Sequence, residues 1–369
     1  MREHPSGSPE RGGRMVQPAN RELVSLETII AQEIVPYVRE IDGGGHVPHP
    51  FLQSLGRGGY FRGQGQWVTE TMADGLLLVE KTANVCLTSA FMLWCHLAAL
   101  IYLQNGQSMY LKRNVLPQLE SGEVPGGTGL SNPLKFYAGL EKLRLRARRT
   151  QDGYIVSGCL PSVSNLADRS WFGAIAALEG EERQIFCMVS CAQEGLMLKA
   201  RQHFAGLNGS ATYSCYFHDV FIPDDWIVSE DAAQFVQYVR PVFILYQVPL
   251  ALGLAGACLQ SISRRTRTIE KFAGCFLEKI EAMKHQFHVL RDQAYRLSQN
   301  GTIHHHLSDV LRLRQDAVFL ALEVANAEMI IRGGSSYVRE SETYRRLREA
   351  HFLVHLTPTI KHLSQWLSR

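Results

Sequence analysis

The sequence predicts an α+β protein that is mostly α, in which an antiparallel β-domain separates an N-terminal helical domain from a C-terminal helical bundle. The first observation is a change of apolar spacing along the chain: helical over 21–125, alternating over 126–228 and helical again over 229–369. The second is composition, because 46% hydrophobic and 20% charged residues supply a large core and exclude wholesale disorder. At 369 residues the chain also exceeds one ordinary domain of about 100–200 residues.

The chain begins with a segment, residues 1–20, that is charged and rich in Gly, Pro and Ser. Because it has no apolar stretch of the kind that a secretory signal requires, we expect a disordered leader. The net charge of +3 predicts no nucleic-acid surface. Eight cysteines without a CxxC pair are typical of buried, reduced thiols, and we expect a cytoplasmic protein.

The N-terminal helical domain, 21–125, is predicted from segments with helical apolar spacing. RELVSLETIIAQEIVPYVREID and PHPFLQSLGRGGYF both run into glycines, which end helices. Two long helices follow, and the second contains the uncharged run 86–103, which reaches the length of a membrane span of about 18 residues. Because this run includes polar residues, we expect a buried core helix and no membrane contact. NGQSMYLKRNVLPQLESGE is predicted to form one further amphipathic helix.

The middle domain, 126–228, is predicted from short alternating runs separated by turn residues. The runs are KLRLRARR, GYIVSG, WFGAIAAL, RQIFCMVSC, LMLKAR and ATYSCYFHDVFIP. Asp152-Gly153 and Glu179-Gly180 supply two of the turns. Strands at this spacing are typical of a small antiparallel sandwich or barrel.

The C-terminal bundle, 229–369, is predicted from long amphipathic or fully apolar helices. The uncharged run 242–263 is expected to be another buried helix, with breaks or kinks at Pro241 and Pro249. The helices over 242–260 and 311–331 carry more apolar residues than one small bundle covers. We therefore expect a second copy to bury them, in a homodimer or a homotetramer.

Six segments in order resemble the acyl-CoA dehydrogenase superfamily of flavoproteins, over about residues 21–365. They are AQEIVPYVREID, HPFLQSLGRGGYF, NVLPQLESGE, GYIVSGCLPSVSNLADRSWF, LNGSATYSCYFHDVFIPDDWIV, and MIIRGGSSY with RRLREAHF. The resemblance implies the fold of that family and FAD as the cofactor. The family's Arg-x-x-Phe-Gly motif, which grips the FAD diphosphate, is broken in SRRTRTIEKFAGCFLEKI, so FMN stays open as the alternative.

The resemblance also implies which residues contact the flavin. Ser131 falls where the family has a hydroxyl that bonds the ring, and the main chain of Thr128 and Leu130 would lie along it. Ser164 falls where a hydroxyl lies near flavin N5, and Ser162 replaces a large aromatic side chain that covers the ring. The alternative is an ordinary capped turn. The remaining predicted flavin contacts are Gly333 and Gly334, which would approach the diphosphate or simply end a helix.

The family's catalytic base is absent from its expected position. An acyl-CoA dehydrogenase removes a proton with a glutamate, but the matching residue here is Thr357, and the other known location, Tyr238–Val242, contains no carboxylate. His351 and His355 lie one turn apart on the last predicted helix and are the candidate proton-transfer groups. Asn132, beside the flavin loop, is a third catalytic candidate, which would hydrogen-bond to peroxide or to the substrate.

These observations favour a flavin-dependent monooxygenase or oxidase that uses molecular oxygen. The substrate would be an acyl thioester or a hydrophobic or aromatic small molecule, bound in an apolar cleft near Trp94, His96, Tyr102 and the helix 238–256. Two alternatives stay open: an acyl-CoA or acyl-carrier-protein dehydrogenase with a different base, and a non-catalytic thioester-binding member. No metal site is expected, because His304, His305 and His306 follow a predicted turn without accompanying Asp, Glu or Cys ligands.

Overall fold

The computed structural model of the protein describes residues 24–66, 69–201, 203–265, 274–299 and 301–368. The expected leader at 1–20 therefore lies outside the described residues. Seven described α-helices precede the sheet: α1 (Leu26–Glu33), α2 (Val38–Gly43), α3 (His49–Arg57), α4 (Thr69–Val85), α5 (Leu87–Asn105), α6 (Met109–Asn114) and α7 (Leu116–Glu120). The single amphipathic helix expected from NGQSMYLKRNVLPQLESGE is wrong, because the segment forms α6 and α7. Pro117 lies in the first turn of α7, where a missing N–H is tolerated, and the preceding helix ends before it.

Helix α5 is the buried centre of the N-terminal part. Every residue from Leu87 to Leu103 is buried, and the helix ends at Gly106, whose N–H donates to the Tyr102 carbonyl. Its length and composition would suffice to cross a membrane, as would those of the stretch Ala232–Ser263, but both are at least 94% buried inside the protein. The sequence-based interpretation of both segments as core helices agrees with this burial.

The middle part is an eight-stranded sheet with the order β6-β7-β3-β2-β4-β5-β8, and β1 pairs with β4. The strands are β1 (Gly126–Thr128), β2 (Leu145–Arg149), β3 (Gly153–Val163), β4 (Trp171–Leu178), β5 (Gln184–Ser190), β6 (Leu196–Ala200), β7 (Tyr213–Pro223) and β8 (Ile227–Ser229). The expected antiparallel pairing holds for most of the sheet, but β4 runs parallel to both β1 and β2. The strand β3 lies between β2 and β4 in the chain, so the connection is long enough to let them run in the same direction.

A short helix, α8 (Ser131–Tyr137), connects β1 to β2, and six described helices follow the sheet: α9 (Ala232–Leu245), α10 (Val248–Ser263), α11 (Gly274–Ser298), α12 (Leu307–Arg332), α13 (Glu342–His355) and α14 (Ile360–Leu367). Pro241 lies inside α9 without ending it, whereas Pro249 occupies the first turn of α10. The expected helix–sheet–helix order is confirmed.

Helix α10 does not need a second copy to cover it. Its residues from Val248 to Cys258 are at most 8% exposed, because α10 packs between α4 and α12 of the same chain. The premise that 242–260 exceeds what one bundle covers is therefore wrong. Helix α12 is different, since Phe319 and Ile330 remain 48% and 55% exposed.

Candidate functional site

A cavity of about 490 Å³ lies where the helices meet the sheet. Its walls come from α5, the β1–α8 connection, the end of β3, the segment 204–212, α9 and the end of α13. None of the described residues that line it is an aspartate or a glutamate, and its basic residues are Arg348, His351 and His355. The cavity therefore offers hydroxyls, imidazoles and apolar side chains.

The hydroxyl groups predicted to contact a flavin line this cavity together: Thr128, Ser131, Ser162 and Ser164. The Thr128 hydroxyl lies 2.7 Å from the Tyr102 hydroxyl, and the Ser164 hydroxyl lies 2.7 Å from that of Thr212. Each hydroxyl both donates and accepts, so it keeps hydrogen-bonding capacity after making one bond. This set fits the mixed donor and acceptor edge of a flavin ring.

Thr357, at the position where the resemblance places a glutamate, lies directly across from Ser131. The two hydroxyl oxygens are 3.0 Å apart. The Thr357 carbonyl accepts a hydrogen bond of 2.9 Å from the buried Gln247 amide, whose oxygen accepts one of 3.1 Å from Arg314 Nε. Burial lowers the pKa of the Arg314 guanidinium to about 9. Sequence reasoning missed Gln247, because it does not belong to the segments that carry the resemblance.

His351 and His355 occupy successive turns at the end of α13, and both line the cavity. Their side chains are exposed, so they lie at its open side. Each imidazole offers two ring nitrogens for hydrogen bonding, whereas the threonine offers a single hydroxyl. The structure thus brings both predicted proton-transfer candidates to the cavity that contains Thr357.

The structure does not bring Asn132 and Leu130 to the cavity. The Asn132 amide nitrogen donates to Glu141 and to the Lys142 carbonyl, and its oxygen accepts from the Arg144 N–H at 3.0 Å. Leu130 is 2% exposed and packs in the core. Asn132 therefore braces the loop after α8, because both ends of its amide are already bonded away from the cavity.

Gly333 and Gly334 lie at the end of α12, away from the cavity lining. A Cβ atom added to either would meet nothing within 4 Å, so no close approach within the chain requires glycine there. Gly333 has a φ of +67°, which favours glycine on backbone grounds alone. A diphosphate contact for this pair stays a prediction, and most of the broken arginine motif, including Arg267 and Phe272, lies outside the described residues.

His96 and Asn165 hold the strand that carries the hydroxyl loop. The Gly126 N–H donates to His96 Nδ1 at 3.0 Å, so the ring proton is on Nε2, which donates to the Leu119 carbonyl at 3.0 Å. Asn165 donates to the Gly126 carbonyl at 2.8 Å. Burial lowers the pKa of His96 to about 4, which keeps it neutral. His96 and Tyr102 thus lie behind the cavity and not, as expected, on its surface, whereas Trp94 does line it.

A second, larger cleft of about 1530 Å³ adjoins the cavity. Seven of its lining residues are arginines and four are acidic. Phe204, Ala205 and Arg348 line both spaces. Arg348 Nη1 donates to Asp42 at 2.9 Å and to the Ala205 carbonyl at 2.6 Å, so this side chain forms the partition between them.

Within the described ranges, no group of three or more His, Cys, Asp or Glu side chains is arranged to hold a metal ion. His304, His305 and His306 form a short 3-10 turn, in which the His304 ring stacks on Tyr238 with centroids 4.6 Å apart.

Comparison of the sequence with known proteins identifies acyl-CoA dehydrogenases. The chain is 22% identical over 357 residues to the probable acyl-CoA dehydrogenase FadE25 of Mycobacterium tuberculosis, which covers 88% of each chain. It is 22% identical over 293 residues to the cyclohex-1-ene-1-carbonyl-CoA dehydrogenase of Syntrophus aciditrophicus, covering 74% of this chain and 69% of that one. No protein-family model matches the chain.

Solved structures share the fold of this chain. A glutaryl-coenzyme A dehydrogenase in complex with glutaryl-CoA superposes with a TM-score of 0.82 at 19% identity, covering 93% of this chain and 92% of that one. Dibenzothiophene monooxygenase (TdsC) from Paenibacillus sp. A11-2 superposes with a TM-score of 0.76 at 15% identity, covering 93% and 95%. The chain has the acyl-CoA dehydrogenase fold, and its resemblance to that superfamily, whose members use FAD, is confirmed.

Proposed function

We propose that the protein is a flavin-dependent oxidoreductase that works without a carboxylate base, as a monooxygenase or oxidase that uses molecular oxygen. The observation that carries the proposal is the composition of the cavity wall. Its described lining contains no Asp or Glu, and Thr357 stands where a dehydrogenase of this fold has its glutamate. Abstraction of a carbon-bound proton needs a base with a matched pKa, and a threonine hydroxyl has none near neutral pH.

FAD is the proposed cofactor and FMN the alternative. Thr128, Ser131 and Ser164 would hold the ring, since their hydroxyls line one cavity and retain free hydrogen-bonding capacity. A bound flavin supplies two-electron redox chemistry that no side chain provides. The protein's own contribution is orientation and exclusion of water, for which His96 and Asn165 hold the β1 strand on both sides of Gly126.

His355 is the proposed proton-transfer residue, with His351 in support. Both imidazoles line the open side of the cavity, where they present a ring nitrogen to a ligand. The Ser131–Thr357 hydroxyl pair would orient a ligand oxygen by donating to it, because its bond of 3.0 Å leaves one hydroxyl proton free. The substrate on this proposal is an acyl thioester or a hydrophobic or aromatic small molecule.

A dehydrogenase with His355 as its base is the second candidate. It is supported by the names of the relatives, since FadE25 and the Syntrophus protein are both called acyl-CoA dehydrogenases. The dibenzothiophene monooxygenase neighbour supports the first candidate in the same way.

The deciding experiment compares oxygen use with anaerobic reduction. The purified protein is titrated with FAD and with FMN in oxidised and reduced forms, and the reduced complex is exposed to oxygen while its consumption is recorded. Oxygen consumption coupled to product formation supports the first candidate. Bleaching of the bound flavin by an acyl-CoA without oxygen supports the second. Failure to bind either flavin contradicts both and leaves a non-catalytic thioester-binding protein.

We also propose a homodimer or homotetramer in the cytoplasm. Phe319 and Ile330 lie eleven residues apart on α12, on one face of the helix, and are 48% and 55% exposed. Burying such a stripe against a second copy removes it from water. Light scattering at micromolar concentration tests the assembly, and a monomer contradicts it.

A further inference from the structure

The cavity has an aromatic side formed by four rings from three helices. We call Phe352, Phe91, Trp94 and Phe243 the aromatic arc, and all four line the cavity. The centroids of Phe352 and Phe91 are 5.0 Å apart and edge-to-face, those of Phe91 and Trp94 are 5.8 Å apart and stacked, and those of Trp94 and Phe243 are 5.0 Å apart and edge-to-face. The rings therefore form a continuous row from α13 through α5 to α9.

The arc is held rigidly in place. Trp94 Nε1 donates a buried hydrogen bond of 3.2 Å to the Phe243 carbonyl, which fixes the indole on the α9 backbone. Phe91, Trp94 and Phe243 are 7%, 3% and 2% exposed, so each ring has neighbours on most sides. Phe91 and Trp94 lie three residues apart on α5 and support each other on one helix face. A ligand in the cavity therefore contacts rings whose positions are fixed by their neighbours.

The polar groups lie on other parts of the cavity wall. Ser131 and Thr357 form their hydroxyl pair beside His355, on the turn after α13 and the start of α8. A ligand bound between the two sides thus needs one polar end and one apolar end. The arc determines which apolar end fits best.

We propose that the aromatic arc selects a planar aromatic group, with Phe91 and Trp94 as the residues that determine this specificity. The inference rests on the proposed function in taking the ligand of this cavity to be its substrate. Aromatic pairs gain about two- to tenfold in affinity beyond area burial when they stack offset or edge-to-face. A straight chain gains area burial alone and also loses rotamer freedom when it is bound.

The test uses two carboxylates with the same number of carbons, naphthalene-2-carboxylate and undecanoate. Binding to the protein as purified is measured by calorimetry, with quenching of tryptophan fluorescence as a second readout. We expect naphthalene-2-carboxylate to bind about tenfold more tightly than undecanoate. Equal affinities, or a preference for undecanoate, overturn the proposal.

Substitutions then assign the preference to the arc. Trp94→Ala and Phe91→Ala should each remove most of the tenfold preference, whereas Trp94→Phe should keep it because a ring remains. Phe352→Leu, at the partly exposed end of the arc, is the variant least disruptive to folding and should reduce the preference about two- to fourfold. Trp226→Phe is the matched control, since Trp226 packs on Trp171 with centroids 4.6 Å apart and does not line the cavity.

The outcomes separate this inference from the proposed function. A folded Trp94→Ala or Phe352→Leu variant with an unchanged preference overturns the role of the arc, whatever the flavin titrations give. Ring-selective binding in a protein that takes up no flavin supports the arc and contradicts the oxidoreductase proposal. Flavin binding without ring selectivity contradicts the arc alone.

Discussion

The cavity and the cleft that meet at Arg348 differ in the charged side chains on their walls. The cavity of about 490 Å³ has hydroxyls, imidazoles and rings on its described wall and no carboxylate, whereas the cleft of about 1530 Å³ has seven arginines and four acidic residues. In the cleft, Arg345 and Arg346 are neutralised by Glu349 and Glu328, so much of its charge is engaged in holding α13 against its neighbours. The described wall of the cavity therefore offers hydroxyls and imidazoles without a carboxylate, whereas ion pairs hold the wall of the cleft together.

The largest expected effect is the loss of the proposed proton transfer in the cavity. His355→Ala should lower turnover about 10²–10⁴-fold, because a positioned acid–base group contributes on that scale. Flavin affinity should not change, since the hydroxyls that would hold the ring are elsewhere on the wall. Oxygen consumption and a flavin titration on the same preparation measure both quantities.

The substitution Thr357→Glu tests the same proposal of catalysis without a carboxylate base. It restores a carboxylate where dehydrogenases of this fold have one, and in an oxygen-using enzyme it should reduce activity. A Thr357→Glu variant that gains anaerobic reduction by an acyl-CoA, together with an unaffected His355→Ala variant, contradicts the monooxygenase proposal and favours the dehydrogenase.

The second effect is the loss of a buried ion pair that stabilises the helices around the cleft. Glu349→Gln should destabilise the fold by about 3–5 kcal/mol, because it leaves the buried Arg345 guanidinium without its counterion. The two side chains are 0% and 8% exposed and 2.9 Å apart. Urea unfolding measures the change. Glu342→Gln is the control, since this carboxylate is 73% exposed and its pair with Arg346 is worth at most about 1 kcal/mol. Similar losses in both variants contradict the argument.

The third effect concerns pH and the histidines behind the cavity. Burial lowers the pKa of both His96 and His49 to about 4, against about 6.5 in the unfolded chain. The unfolded chain therefore binds more protons between these values, and stability falls as the pH drops from 6.5 to 4, by up to about 3 kcal/mol for each histidine. Unfolding at pH 7 and pH 5 measures the loss. Replacing the exposed His305 by Gln should leave the slope unchanged, and an unchanged slope in His96→Asn contradicts the assignment.

The smallest effect tests the hydroxyl pair itself. Thr357→Val removes the 3.0 Å bond to Ser131 and should cost about 1 kcal/mol of stability, with a measurable weakening of flavin binding. Ser157→Ala removes an exposed side-chain bond to Asp219 between the neighbouring strands β3 and β7 and should leave flavin binding unaltered. Equal flavin affinity in both variants argues against a role for the pair.

Much of the fold was predictable because local signals carry it. The uninterrupted apolar run of α5, the alternating residues of β2 and β7 and the glycines after α12 are local signals, each of which marks an element of the fold. The parallel pairing of β4 was not predictable in this way. Pairing direction depends on where distant strands meet, and nothing within Trp171–Leu178 records that β1 and β2 lie beside it.

The same distinction between local signals and contacts of distant segments applies to the candidate site. Ser131, Ser164, His351 and His355 were identified within or close to segments that carry the family resemblance, and the structure brings all four to one cavity. Asn132 was adjacent in sequence but its amide is bonded elsewhere. The aromatic arc was missed because it joins residues of three helices far apart in the chain. Its one local signal was the pair of rings at Phe91 and Trp94, which also fits ordinary core packing.

The contact of Arg348 with Asp42 has a consequence for how the protein is made. The two residues are 306 positions apart, and Arg345 on the same helix reaches the Val85 carbonyl across 260 positions. During synthesis the first helices leave the ribosome long before their partners on α13 exist. Contacts of such long range slow folding and prolong the exposure of unfinished surface. A chain that stops before residue 342 should therefore lack a finished N-terminal domain and be drawn to chaperones, although every residue of that domain is already present.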